Sequence, residues 1–224
     1  MLRTSSKLFV RFLLTLNLGL GLALASSAAY AAKTIDIEKA RALPLGSIVT
    51  VKGTVTVASG AFVSSTFDQG FALEDKSGGI YVSLATDVGL DLRDQAEVTG
   101  QLQESFSLLI LVPASPGDVK HKGHGRPVAP EAVNTGSVNE ETEGELVVVK
   151  GIISQGVLSD LPFGYKFYVN DGSGEIQIFV SASTGIDLSG LRLGQHVRVV
   201  GFSGQFDTTY EVQPRVQSDI RVLP

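Results

Sequence analysis

The 224 residues contain no cysteine and no tryptophan, and the only methionine is the first residue. Without cysteine there are no disulfides, no thiolate metal ligands and no thiol nucleophile, so each domain must be held by its apolar core. Histidine is nearly as scarce, with His121, His124 and His196 making up all three. His121 and His124 stand three apart in a glycine-rich stretch with no third donor beside them in sequence, so no metal site is expected. His196, flanked by Gln195 and Val197 at the start of an apolar alternation, reads as a solvated edge residue. No P-loop, nucleophile elbow or EF-hand loop occurs. The sequence therefore offers no catalytic residue and no cofactor site, and a non-enzymatic role is expected.

Long apolar runs are also missing, with one exception at the amino terminus. Arg3, Lys7 and Arg11 precede an apolar stretch from Phe12 to Leu24, and Ala29-Tyr30-Ala31 fits the small-x-small rule for signal-peptidase cleavage. The 13-residue stretch falls short of the roughly 20 that a membrane-spanning helix needs. Residues 1–31 are thus expected to be a signal peptide, the protein periplasmic or secreted, and the processed chain to have no membrane span. The full chain has 18 bases and 23 acids, and the signal segment carries three of the bases and no acid, so the remainder has a net charge of −8. An acidic body repels phosphate backbones at long range, which disfavours nucleic acid as a partner.

What the sequence does contain is an internal repeat. The stretch Ile48-Val49-Thr50-Val51-Lys52-Gly53 returns as Leu146-Val147-Val148-Val149-Lys150-Gly151. Phe71-Ala72-Leu73-Glu74-Asp75-Lys76-Ser77-Gly78-Gly79-Ile80-Tyr81-Val82 returns as Phe167-Tyr168-Val169-Asn170-Asp171-Gly172-Ser173-Gly174-Glu175-Ile176-Gln177-Ile178. Gly89-Leu90-Asp91-Leu92 matches Gly185-Ile186-Asp187-Leu188, and Val98-Thr99-Gly100 matches Val199-Val200-Gly201. Four ordered matches at a nearly constant offset establish a duplication. Each copy alternates apolar and polar residues with the period of strands. Asp75 and Asp171, followed by Ser77 and Ser173, read as turn formers rather than paired catalytic carboxylates. Asp91 and Asp187 read the same way, and Glu140, Glu141, Glu143 and Glu145 read as a solvated acidic run. Helix signals are thin: Asp36 is placed to cap one short turn reaching Ala42.

Five strands per copy, a glycine closing the first strand and an F-x-[LV]-x-D-x-S-G-x-I-x-[VI] hairpin resemble the OB-fold. More closely, the copies resemble the periplasmic bacterial OB-fold stress-protein family and the exported OB segments of bacterial sensor proteins and extracellular nucleases. The resemblance implies an all-β protein of two tandem five-stranded OB-fold barrels. The expected divisions are repeat 1 over 34–119, a linker over 120–132 and repeat 2 over 133–224. It departs from many OB-folds in having no helical pattern between strands three and four, over Ala85 to Asp94.

OB-folds bind oligonucleotides, oligosaccharides and proteins, customarily across the face of strands two and three. If Phe71, Leu73, Ile80 and Val82 point into the first barrel, Tyr81 points out of it. With Phe167, Val169, Ile176 and Ile178 inward, Tyr168 and Phe179 point outward beside Lys166. These, with Phe206 and Tyr210 near the last hairpin, are the expected ligand-binding residues, and the expected partner is an envelope glycan or protein. Single-stranded DNA is the alternative, with Lys120, Lys122 and Arg126 as the phosphate contacts.

Overall fold

The computed structural model describes residues 33–224, so the expected signal segment lies outside the described residues. The first repeat opens with β1 (Thr34–Ile35) and a short helix α1 (Ile37–Arg41), followed by β2 (Ile48–Val57) and the one-turn helix α2 (Val63–Thr66). It continues through β3 (Phe71–Glu74), β4 (Gly79–Val82), β5 (Asp94–Ser105), β6 (Leu108–Val112) and β7 (Val119–His124). The second repeat has β8 (Glu131–Ala132), β9 (Leu146–Asp160), β10 (Gly164–Asn170), β11 (Glu175–Ser181), β12 (His196–Phe206), β13 (Thr209–Gln213) and β14 (Ile220–Val222). No helix among the described residues is long and apolar enough to cross a membrane.

Pairing closes each repeat into a barrel. β2 lies antiparallel to both β3 and β5, β3 pairs with β4, β5 with β6, and β4 runs parallel to β6. The second repeat repeats this order, with β9 between β10 and β12 and β11 parallel to β13. Two five-stranded Greek-key barrels of the OB type result. The expected inward residues fill them: Phe71, Leu73, Ile80 and Val82 in the first core, Phe167, Val169, Ile176 and Ile178 in the second.

The glycine expected to close strand one lies inside it. A Cβ on Gly53 would stand 2.8 Å from the Glu74 carbonyl oxygen, and one on Gly151 would stand 2.7 Å from that of Asn170. Glycine lets the strand coil against its neighbour at that point and continue to Val57 and Asp160.

The repeat is also longer than five strands. β1 runs parallel on β2 as β8 does on β9, and β7 flanks β5 as β14 flanks β12. Residues 120–132 are therefore mostly repeat rather than linker: Lys120–His124 belong to β7, Glu131–Ala132 form β8, and only 125–130 lack regular structure. An edge strand pairs on one side only and tolerates charge and glycine, so its composition imitates a linker. Lys120 and Lys122 pair with Glu97 on β5 at 3.9 and 3.1 Å.

Asp75 and Asp171 do form turns, accepting from the Ser77 and Ser173 amides at 2.7 and 2.9 Å. Each also reaches across its barrel. The Ile37 amide donates to Asp75 Oδ2 at 3.0 Å, and the Thr135 amide to Asp171 Oδ2 at 3.1 Å. The two hydroxyls follow, Ser77 Oγ accepting from Glu38 N–H at 3.2 Å and Ser173 Oγ from Gly136 N–H at 2.9 Å. In both repeats the hairpin thus caps the short helical turn ahead of strand one. Asp36 makes no side-chain cap; its carboxylate accepts from Lys39 Nζ at 2.7 Å.

The two barrels pack into one compact unit. Phe202 of β12 inserts against the first barrel, its ring 6.4 Å from Phe62 and 6.0 Å from Tyr81, among Val57, Ala72 and Ile110. Leu146, Val148 and Val200 form a second apolar contact with Val128. Glu143 is not solvated as expected: its side chain is fully buried and pairs with Arg41 at 2.9 Å. It also accepts from the Leu109 amide at 3.2 Å, and burial holds its carboxyl above the usual range.

A candidate ligand cleft between the barrels

A cleft of about 510 Å³ opens where the barrels meet. Its floor is the outer face of β10, β11 and β13. Because side chains alternate along a strand, sending Phe167 and Ile178 into the core turns Lys166, Gln177 and Phe179 outward. The register sets Lys166 opposite Phe179 and Gln177 opposite Glu211. The facing wall comes from the first barrel, through Tyr81 and Ser83 at the end of β4 and Leu108 and Ile110 of β6.

Aromatic rings stand at two places along the rim. Phe67, from the β2–β3 connection, meets Phe163, from the β9–β10 connection, edge to face at 5.6 Å. Phe106 and Phe206, at the tips of the corresponding hairpins, stack at 4.9 Å and 26°. They are exposed by 74, 39, 60 and 52 %, in that order. Large exposed aromatics are the informative departures from ordinary burial. Phe67 (φ 59°), Phe106 (φ 50°), Ser107 (φ 69°) and Asp207 (φ 52°) also occupy the left-handed region. Such backbone costs of order 1–3 kcal/mol per residue and gathers at binding sites.

The polar lining is mostly acceptor. Glu211 is buried, and its two oxygens accept from Gln177 Nε2 at 2.7 Å and Gln213 Nε2 at 2.8 Å. Loss of hydration outweighs those bonds and pushes its carboxyl up to about 7. Asp68 Oδ1 accepts from the Tyr81 hydroxyl at 2.7 Å and the Gly70 amide at 3.0 Å, and Oδ2 from Ser83 Oγ at 2.5 Å. Burial, with the Asp68 charge beside it, raises the Tyr81 phenol well above its usual range. Lys166 is paired with Asp160 at 3.3 Å. Gln205 Oε1 and Gln213 Oε1 are buried without a hydrogen-bond donor.

Four expected binding residues therefore line this cleft: Tyr81, Lys166, Phe179 and Phe206. Tyr81 points out of its barrel as expected but is 3 % exposed, because Phe202 of the other barrel covers it. Phe179, at 8 %, is likewise mostly covered. Tyr168 and Tyr210 lie outside the lining, their hydroxyls donating to Gln177 Oε1 at 2.9 Å and Glu140 Oε2 at 3.1 Å. Phe67, Phe106, Phe163, Asp68, Gln177 and Glu211 were not among the expected residues. The aromatics left a signal, since each repeat places one in its first loop and one at its last hairpin. A separate groove of about 310 Å³ is lined by Arg93, Arg198, Arg215 and Arg221, with Arg215 held by Asp219 at 2.9 Å. Arg126 is exposed.

No family model matches the sequence, and no curated protein matches it. Among solved structures it is similar to an OBody bound to hen egg-white lysozyme, at 19 % identity and a TM-score of 0.34, over 43 % of this chain and 97 % of that one. It is also similar to the hypothetical protein ygiW from E. coli, at 18 % identity and a TM-score of 0.29, over 41 % of this chain and 89 % of that one. A murine DNA binding protein bound with ds DNA matches 78 % of this chain and 98 % of its own, at 11 % identity and a TM-score of 0.39. At TM-scores this low the OB assignment rests on the chain's own strand order.

Proposed function

We propose that the protein is an exported, non-enzymatic binding protein of the cell envelope, and that a glycan occupies the cleft between its barrels. One observation carries the reading: exposed aromatic rings flank a floor of amides and carboxyls. A sugar ring presents apolar C–H faces that stack on aromatic rings and hydroxyls that donate to oxygen acceptors. Gln205 Oε1 and Gln213 Oε1 lack such donors. The cleft lining sets Asp68, Asp160 and Glu211 against the single lysine Lys166, which disfavours a phosphate backbone. The expected signal segment supports export. The carboxyls are already committed to structure, Glu211 to two amides and Asp68 to Tyr81 and Ser83, which supports binding rather than proton transfer.

Calorimetric titration with soluble envelope oligosaccharides tests the reading. Phe67→Ala and Phe163→Ala should each weaken binding about tenfold, in line with about 1–3 kcal/mol per stacked ring, without moving the melting temperature. Oligosaccharides that fail to bind, or bind equally well to both variants, would refute it. The arginine-lined groove favours a second reading, single-stranded DNA. Affinity that falls steeply with salt and is lost in Arg198→Ala, but not in Phe67→Ala, would put it first.

A further inference from the structure

The two histidines that lack a third donor in sequence acquire one in the fold. In a regular strand residues three apart face opposite sides. Gly123, between them at φ +99°, takes the left-handed conformation of a bulge residue, and the β5–β7 register shifts between Asp94 and Ala96. The bulge turns His121 and His124 to one side of the edge strand, with their rings 5.6 Å apart. Asp94, the first residue of β5, lies directly opposite His124.

The donor atoms converge. His121 Nε2 stands 3.4 Å from Asp94 Oδ1, and His124 Nδ1 contacts the same oxygen. All three lie within 4.8 Å of one another. The Asp94 side chain is 5 % exposed, and its Oδ1 is buried without a hydrogen-bond partner, although two ring nitrogens face it. Its Oδ2 is fixed by the Asp91 amide at 3.0 Å, which orients the free oxygen toward the rings. A buried, unpartnered carboxylate oxygen is costly unless something positive meets it. Ligands about 2.0–2.1 Å from a tetrahedral zinc stand about 3.3 Å from each other, close to the His121–Asp94 spacing, and the exposed His124 ring needs only to draw back from Asp94 to admit the ion. Two imidazoles and one carboxylate suit a first-row transition ion rather than calcium or magnesium, which prefer oxygen.

We propose that Asp94 Oδ1, His121 Nε2 and His124 Nδ1 form a binding site for a divalent transition ion, with zinc the expected occupant. Both rings are partly exposed, so the remaining coordination position opens to solvent, and the ion ties the edge strand β7 to β5. The site stands apart from the inter-barrel cleft and does not depend on a ligand there.

The test uses untagged protein, zinc chloride and the imidazole resonances of all three histidines, with His196 as an internal control. Zinc should bind at one equivalent and shift His121 and His124 while leaving His196 unmoved, and calcium should shift none of them. Asp94→Asn keeps an oxygen to accept from the Asp91 amide, and it should weaken zinc at least tenfold. His121→Ala, on an exposed edge, should do the same without affecting the fold. Zinc binding that survives both substitutions, or shifts His196 equally, would overturn the proposal. So would the absence of binding at a hundred micromolar zinc.

Discussion

Glu211 gives the floor of the cleft a pH dependence whose sign and size follow from its surroundings. The carboxyl is 5 % exposed and lies among amides and apolar side chains, and burial moves it from 4.5 to about 7. A raised acid binds its proton more tightly when folded. Between pH 4.5 and about 7 the native state therefore holds a proton that the unfolded chain has lost, and stability falls as pH rises through that window. Each unit is worth about 1.4 kcal/mol, so the whole shift amounts to about 3 kcal/mol, flattening above pH 7. Glu74 and Glu145, both also about 7 through burial near the barrel contact, add to the same trend. The Glu211→Gln variant isolates one contribution, because an amide of the same shape carries no charge at any pH. Urea denaturation at unit steps from pH 5 to pH 8 should show the variant gaining on the parent, by up to about 3 kcal/mol at pH 8 and little at pH 5. Parallel curves for the two proteins would refute the reasoning.

Below that window the trend reverses, since hydrogen bonds from Ser173 and Thr135 hold Asp171 well below the usual range; protonating it removes the cap, so stability should drop as pH falls below about 4. Phe202→Ala empties the barrel contact and should cost about 3–5 kcal/mol, read by urea midpoint. Parent protein should melt in one transition by calorimetry, and two well-separated transitions would contradict a shared interface.

The repeat, the strands and both cores were legible because each depends on local alternation and turn chemistry, as Phe71, Leu73, Phe167 and Val169 illustrate. What escaped depends on which surface meets which. Tyr81 reads as outward on its own strand, and it is; only the second barrel makes it buried. The segment from Lys120 reads as linker because glycine, proline and like charges mark it, and its pairing with β5 is set by a partner more than twenty residues earlier in the chain. Asp94 joins His121 and His124 only through that same register, so no spacing in the sequence could reveal it.

A comparison of the two repeats, position by position, does carry the missing information. Thr50 and Thr99 pair across β2 and β5 and share a hydroxyl contact at 2.8 Å, whereas the matching pair on β9 and β12 is Val148 and Val200. Gln101 is exposed, and its counterpart Phe202 is buried against the first barrel. On the neighbouring strands the difference inverts: Tyr81 and Ile110 pair in the first repeat, and Gln177 and Glu211 in the second. Each barrel thus has one apolar and one polar outer face, assigned oppositely. Phe202, on the apolar surface of the second, packs on Tyr81 and Ile110 of the first, while Gln177 and Glu211 face the same wall across the cleft. Apolar residues at these two positions would close the second barrel onto that wall; Gln177 and Glu211 instead keep the strand two–three surface open as the floor of the cleft.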